Sequence, residues 1–183
     1  MKILVTYFSQ TGNTKKIAEA FFPTLAAKGH QVDLHELKKI ESESLKDYDL
    51  VFVGSTCHSA DIAKPVIDLL EGINGDAKFG LAGFVTHSTK MDTGSELDHE
   101  MYERWAGKCE GTFHRICEEK GVSFLGYFHC QGAPNPPIAD FIHKEIIPDE
   151  AEFQEYLNQV MQHPDAQDLQ NAKDFAKKVL SNL

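Results

Sequence analysis

Short apolar runs that alternate with amphipathic helical stretches constrain this chain more than any other feature. Lys2 to Phe8 reads as a strand, and Asn13 to Lys28 then repeats at helical spacing, with Ile17, Phe21, Phe22 and Leu25 on one face. Gly29 stops that helix, and Gln31 to Leu37 alternates as a second strand. Leu50 to Gly54 is continuously apolar, as expected of a strand covered on both faces. A helix from about Ile62 to Ile73 tolerates Pro65 in its first turn, and Lys78 to Thr86 gives the fourth strand. One long helix is expected from about Ser95 to Lys120, with Leu97, Met101, Trp105, Cys109, Phe113 and Ile116 on its apolar stripe. Strand Val122 to Cys130 and a helix from about Asp165 to Leu183 complete the pattern.

Parallel strands joined through helices need right-handed crossovers, which leave helices on both faces of the sheet. The expected class is therefore α/β, doubly wound around a five-stranded parallel sheet. The 183 residues suit a single domain, 1–183. Residues 131–164 are too many for an ordinary βα loop, and Phe153, Tyr156, Leu157, Val160 and Met161 recur at helical spacing. This segment reads as a mostly helical insertion before the C-terminal helix.

The sharpest chemical signal lies between the first strand and the first helix, at Ser9-Gln10-Thr11-Gly12-Asn13-Thr14. Hydroxyls of Ser9, Thr11 and Thr14 can donate to phosphate oxygens, and Gly12 lets the backbone approach closely. The helix start adds free N–H groups with partial positive charge. Neither GxxxxGK[ST] nor GxGxxG occurs, which removes support for a nucleoside-triphosphatase or a dinucleotide fold and points to a lone phosphate monoester. An N-capped turn without any ligand would use the same residue types, but three hydroxyls around one Gly favour the phosphate reading.

With Tyr7-Phe8 before it, this loop resembles the signature of the flavodoxin family, whose first strand ends in a Ser/Thr-x-Thr-Gly-x-Thr loop that holds the phosphate of FMN. The strand and helix succession is similar over most of the chain, except for the insertion at 131–164. The resemblance implies the strand order 2-1-3-4-5, with ligand at the carboxyl ends of the strands beside the switch point. It also implies that the loops after strands three and four enclose the flavin ring. By position in the topology those loops are Thr56, Cys57, His58, Ser59, Ala60 and Asp61, and then Thr86, His87, Ser88 and Thr89. Many members carry a Gly after strand three whose peptide flips on one-electron reduction. No glycine stands between Gly54 and Gly72 here, which leaves Ser59, Ala60 and Asp61 in that place, each with a cost for entering a left-handed conformation.

Cys57, His58, His87, His129 and Cys130 lie near the same rim, and thiolate with imidazole suits zinc or iron. No pair has zinc-ligand spacing, and adjacent strand residues face opposite ways, so no metal is expected. Cys109 and Cys117 read as buried packing residues and Trp105 as core. Cys57 lies in a rim loop where a helix terminus can lower a thiol's pKa. The remaining histidines read as surface residues.

With 18 basic against 28 acidic residues the formal charge is −10, which disfavours nucleic acid and anionic membranes as partners. The first apolar run is too short for a span or signal core, so a cytoplasmic location is expected. The function implied by the resemblance is non-covalent FMN binding and electron transfer to redox partner proteins with basic docking surfaces. The alternative is an FMN-dependent NAD(P)H oxidoreductase acting on a quinone, a nitro compound or a flavin, with residues 131–164 forming a substrate pocket.

Overall fold

The computed structural model describes residues 1–75, 77–91 and 94–183, and within them not the side chains of Leu97 and Asp98. The Leu97 side chain, expected on the apolar stripe of the long helix, lies outside the described part.

Apolar residues of the strands alternate between two helical layers, so the sheet is buried on both sides. β1 (Lys2–Tyr7) is central, with β2 (Gln31–Glu36) parallel to it on one side and β3 (Leu50–His58) on the other. Beyond β3 come β5 (Gly80–His87) and then β6 (Ser123–Gln131), both parallel. The order is β2-β1-β3-β5-β6, which is the expected 2-1-3-4-5 arrangement with one added short strand, β4 (Asp61–Ile62), paired antiparallel to the end of β3.

On one face Ile3, Val5, Leu50, Phe52, Ala82 and Phe84 pack under α1 (Asn13–Ala26) and α7 (Ala166–Ser181) through Ile17, Phe21, Leu25, Ala172 and Ala176. On the other, Leu4, Val51, Val53, Leu81 and Val85 meet α2 (Lys64–Glu71) and α4 (Lys108–Lys120) through Val66, Leu70, Phe113 and Ile116. The Phe84 ring lies over Gly54, where an added Cβ would stand 2.3 Å from it, so the close fit of β3 and β5 requires glycine there.

The sequence led us to expect one helix over 95–120. The structure has two, α3 (Glu96–Trp105) and α4, separated at Ala106-Gly107. Gly107 is a poor helix former, and the amide of Lys108 donates to the carbonyl of Ala60 at 3.2 Å instead of continuing the helix. Phe22 is a second departure: it is 39% exposed, off the buried face of α1. Ile62 pairs in β4 and so does not open α2, which holds Pro65 in its first turn as expected.

The insertion is helical, with α5 (Pro136–Glu145) and α6 (Glu150–Val160). Ile142, Ile147, Phe153, Tyr156 and Val160 give it a small core of its own. Tyr156 fastens it to the sheet by donating from its hydroxyl to the carbonyl of Ser88. Among the described residues no helix is long and apolar enough to cross a membrane.

Candidate functional site

At the carboxyl edge of the sheet a cleft of about 620 Å³ opens between the strand-end loops and the insertion. Gln10, Thr11 and Asn13 lie at one end. Thr56 to Ala60 and Thr86 to Thr89 line its floor, and Met101, Trp105, Ile138, Phe141, Ile142, Ile146 and Ile147 form an apolar wall.

The phosphate-loop end is arranged for an anion. Gly12 sits at the start of α1 with φ +87°, a conformation that favours glycine, and α1 has neither a side-chain cap nor an acidic residue in its first turn. α2 and α4 also lack a side-chain cap, whereas α5, α6 and α7 are capped by Asn135, Asp149 and Asp165; what sets α1 apart is that its start borders the cleft through Thr11 and Asn13. The Ser9 hydroxyl accepts from the Gly12 amide at 3.1 Å and shapes the turn. Asn13 spends its amide donors on Thr11 Oγ1 (2.9 Å) and the carbonyl of Ala133 (2.8 Å), tying the loop to the segment after β6. Thr11 Oγ1 therefore accepts locally and keeps its own hydrogen to donate. Thr14 is buried, its hydroxyl 2.8 Å from that of Thr86.

In the loop after β3, Ser59 and Ala60 form a two-residue turn with φ +51° and +69° between paired His58 and Asp61. We expected reduction to drive a non-glycine residue into this region. Both residues are there already, so that backbone cost, about 1–2 kcal/mol each, belongs to the folded protein itself. The pairing of β4 and the hydrogen bond from Lys108 to the Ala60 carbonyl hold the turn. Asp61 does not reach the cleft: its carboxylate accepts from the amide of Ile62 and the hydroxyl of Thr112. His58 closes over the rim through a 2.8 Å hydrogen bond with Gln10.

His87 is buried at the floor of the cleft, and its Nε2 lies 3.0 Å from His129 Nδ1, so one ring donates to the other. Burial first, and the neighbouring His129 second, push His87 down to about 3; burial also lowers His129. Both are neutral near pH 7. Tyr127 stacks on His129, Tyr102 lies tilted against His129 and edge-on to His87, and burial drives the Tyr102 hydroxyl up to about 12. Strand pairing explains the meeting: His129 opposes Val85, and His87 lies two residues further along the same face.

Three further features escaped sequence reading. Trp105 is a cleft residue, edge-on to Phe141 at 5.6 Å, because the break before α4 turns it off the core stripe. Cys57 donates to the carbonyl of Trp105 at 3.3 Å and stands 3.6 Å from Cys109. His163 is no loose surface residue, since its ring bonds Asp168 at the start of α7. Among the described residues, His163, Asp165 and Asp168 are the one group close enough to share a metal ion, and the helix cap already accounts for them. The rim cysteines and histidines do not form such a group.

An open parallel sheet whose first helix starts without a side-chain cap at the edge of a largely apolar cleft defines a doubly wound α/β protein with its candidate site at the carboxyl ends of the strands. The flavodoxin domain model matches residues 4–177, and the chain belongs to the flavodoxin family. It is 30% identical to a flavodoxin-like domain-containing protein, BilS, of Clostridioides difficile, over 98% of this chain and 97% of that one. Flavodoxin 1 of Bacillus cereus superposes with a TM-score of 0.66 at 13% identity, covering 100% of this chain and 99% of that one. Flavodoxin 2 of the same organism gives 0.64 at 22% identity, with 100% of both chains covered.

The residues present fit FMN. The uncapped α1 start and the Thr11 hydroxyl, which accepts from Asn13 and retains a hydrogen to donate, suit a phosphate dianion, and the apolar walls at Trp105 and Phe141 suit a flat ring system.

Proposed function

We propose that this protein binds FMN without a covalent link and transfers electrons between other proteins in the cytoplasm. The observation that carries the reading is the bare N-terminus of α1, open to a cleft whose far walls are apolar. FMN supplies the redox chemistry when bound. Ser9, Gln10, Thr11, Gly12, Asn13 and Thr14 form the phosphate cradle in this reading, with the amides of α1 as the main donors and Ser9 and Thr14 as its frame. Thr56, Cys57, His58, Ser59 and Ala60 edge the ring from one loop, and Thr86, His87, Ser88 and Thr89 from the other. Asp61 braces the first of these loops from behind. Trp105 and Phe141 exclude water. The formal charge of −10 opposes added negative charge on the ring, which favours a low reduction potential.

One observation favours the second reading, an FMN-dependent NAD(P)H oxidoreductase acting on a quinone, a nitro compound or a flavin. α5 and α6 place Ile138, Phe141, Ile142, Ile146 and Ile147 along the cleft, where a second flat molecule would meet an apolar surface. Stopped-flow mixing of the FMN-loaded protein with NADH or NADPH separates the two. Fast bleaching of the flavin bands identifies the reductase, and no bleaching the carrier.

A carrier steered to partners with basic docking surfaces shows electron-transfer rates that fall as salt rises, because the Debye length shrinks from about 30 Å at 0.01 M to about 10 Å at 0.1 M. Rates with a reductase partner that stay flat across that range would contradict steering by the acidic surface.

A further inference from the structure

The cleft brings two nucleophilic side chains together from distant parts of the chain. Cys57 stands at the end of β3 and lines the cleft, whereas Cys109 is buried in the first turn of α4. Their sulfurs lie 3.6 Å apart, with Cys109 placed to donate to Cys57. Cys117 and Cys130 are buried in separate layers on opposite faces of the sheet. A disulfide is about 2.05 Å long, so the pair has roughly 1.5 Å to close, and the two thiols already face each other.

We propose that Cys57 and Cys109 form an oxidisable dithiol, converted by hydrogen peroxide into an intramolecular disulfide in the wall of the cleft. Cys57 reacts first because it is the one of the two that the cleft exposes. Its sulfur attacks one peroxide oxygen. The S–O bond forms as the O–O bond breaks, and the departing hydroxide takes the thiol proton as water. Cys109 then attacks the Cys57 sulfenic acid. The S–S bond forms, the S–O bond breaks, and the hydroxyl leaves with the Cys109 proton as a second water. Two thiols thus pass two electrons to one peroxide.

The surroundings of Cys109 suit the second role. Its hydrogen bond to Cys57, and then its burial, hold its pKa well above the ordinary thiol value, so it is inert towards solvent oxidants while Cys57 is reduced. Oxidation turns the Cys57 sulfur into an electrophile 3.6 Å from the Cys109 sulfur, within reach of its attack. The bond would join the end of β3 to the start of α4, beside the turn at Ser59-Ala60. The chemistry needs the cleft but not the flavin.

The test is to treat the protein, with and without added FMN, with equimolar hydrogen peroxide, then denature, alkylate and read masses of the intact chain and its peptides. We expect two of the four cysteines to resist alkylation, a linked Cys57–Cys109 peptide, and full recovery with dithiothreitol. In Cys109→Ser, Cys57 should be trapped by dimedone as the sulfenic acid. In Cys57→Ser, Cys109 should stay alkylatable at the same dose. Four alkylatable thiols, Cys57 over-oxidised beside a free Cys109, or a Cys57 bond between two chains would each overturn the proposal. A protein that forms the disulfide yet binds no FMN would remove the functional reading alone.

Discussion

Replacing Thr11 and Thr14 together by Val is expected to weaken FMN binding at least tenfold. Valine keeps the shape of threonine and removes the hydroxyl. Thr11 Oγ1 already accepts from Asn13, so its hydrogen is available to a phosphate oxygen. Thr14 is buried with its hydroxyl against that of Thr86, so its replacement acts on the frame of the loop. A hydrogen bond to a charged group contributes about 1.5–3 kcal/mol, so losing even one is worth about tenfold in affinity. Thr14→Val also leaves Thr86 without its partner in a buried place, which costs the fold about 1–3 kcal/mol. Urea unfolding of the variant separates that loss from the loss of binding. An unchanged dissociation constant in a well-folded variant would remove both threonines from the cradle.

The second large effect is in acid. His87 is held neutral by burial, with its pKa lowered to about 3, whereas in the unfolded chain it titrates near about 6.5. Above about pH 6.5 both states are neutral and the full stability is present. As pH falls below that value the unfolded chain takes up a proton that the folded one refuses. Stability is then lost at up to about 1.4 kcal/mol per pH unit, until the folded state is protonated near pH 3. His87→Gln retains a polar partner for His129 and lacks this proton. Its loss of stability between pH 7 and pH 4.5 should be smaller than in the unmutated protein by roughly 2–3 kcal/mol, read from urea midpoints. Parallel curves for the two proteins would show that His87 does not titrate as its burial demands.

The sheet was legible because its signals are local and repeated. Apolar runs such as Leu50 to Gly54 declare strands, and each following amphipathic stretch declares the helix that must cover them. The phosphate loop was legible for the same reason, since Ser9 to Thr14 are contiguous. Features made by residues distant in sequence were not. The break at Gly107 depends on the Ala60 carbonyl, 48 positions earlier, capturing the amide of Lys108. That break carries Trp105 out of the core stripe where helical periodicity put it. His87 and His129 could be placed on neighbouring strands, yet their hydrogen bond depends on the register of β5 with β6. Asn13 reads as a helix-start residue, while its link to Ala133 joins positions 120 apart.

The left-handed turn at Ser59-Ala60 shows a different limit. Sequence propensity argues against positive φ at both residues, and pairing of β4 with β3 overrides it. Propensity weighs residues one at a time, whereas strand pairing acts on the whole turn.

The central claim is that α1 binds a phosphate that belongs to a flavin, and titration of the ligand-free protein with FMN and with riboflavin tests it most directly. The two ligands share the ring and differ in the phosphate. Quenching of flavin fluorescence should show FMN binding at least about 100-fold more tightly than riboflavin, the difference expected of two or more charged hydrogen bonds at the start of α1. Equal affinity for the two, or no quenching by FMN, would contradict the account.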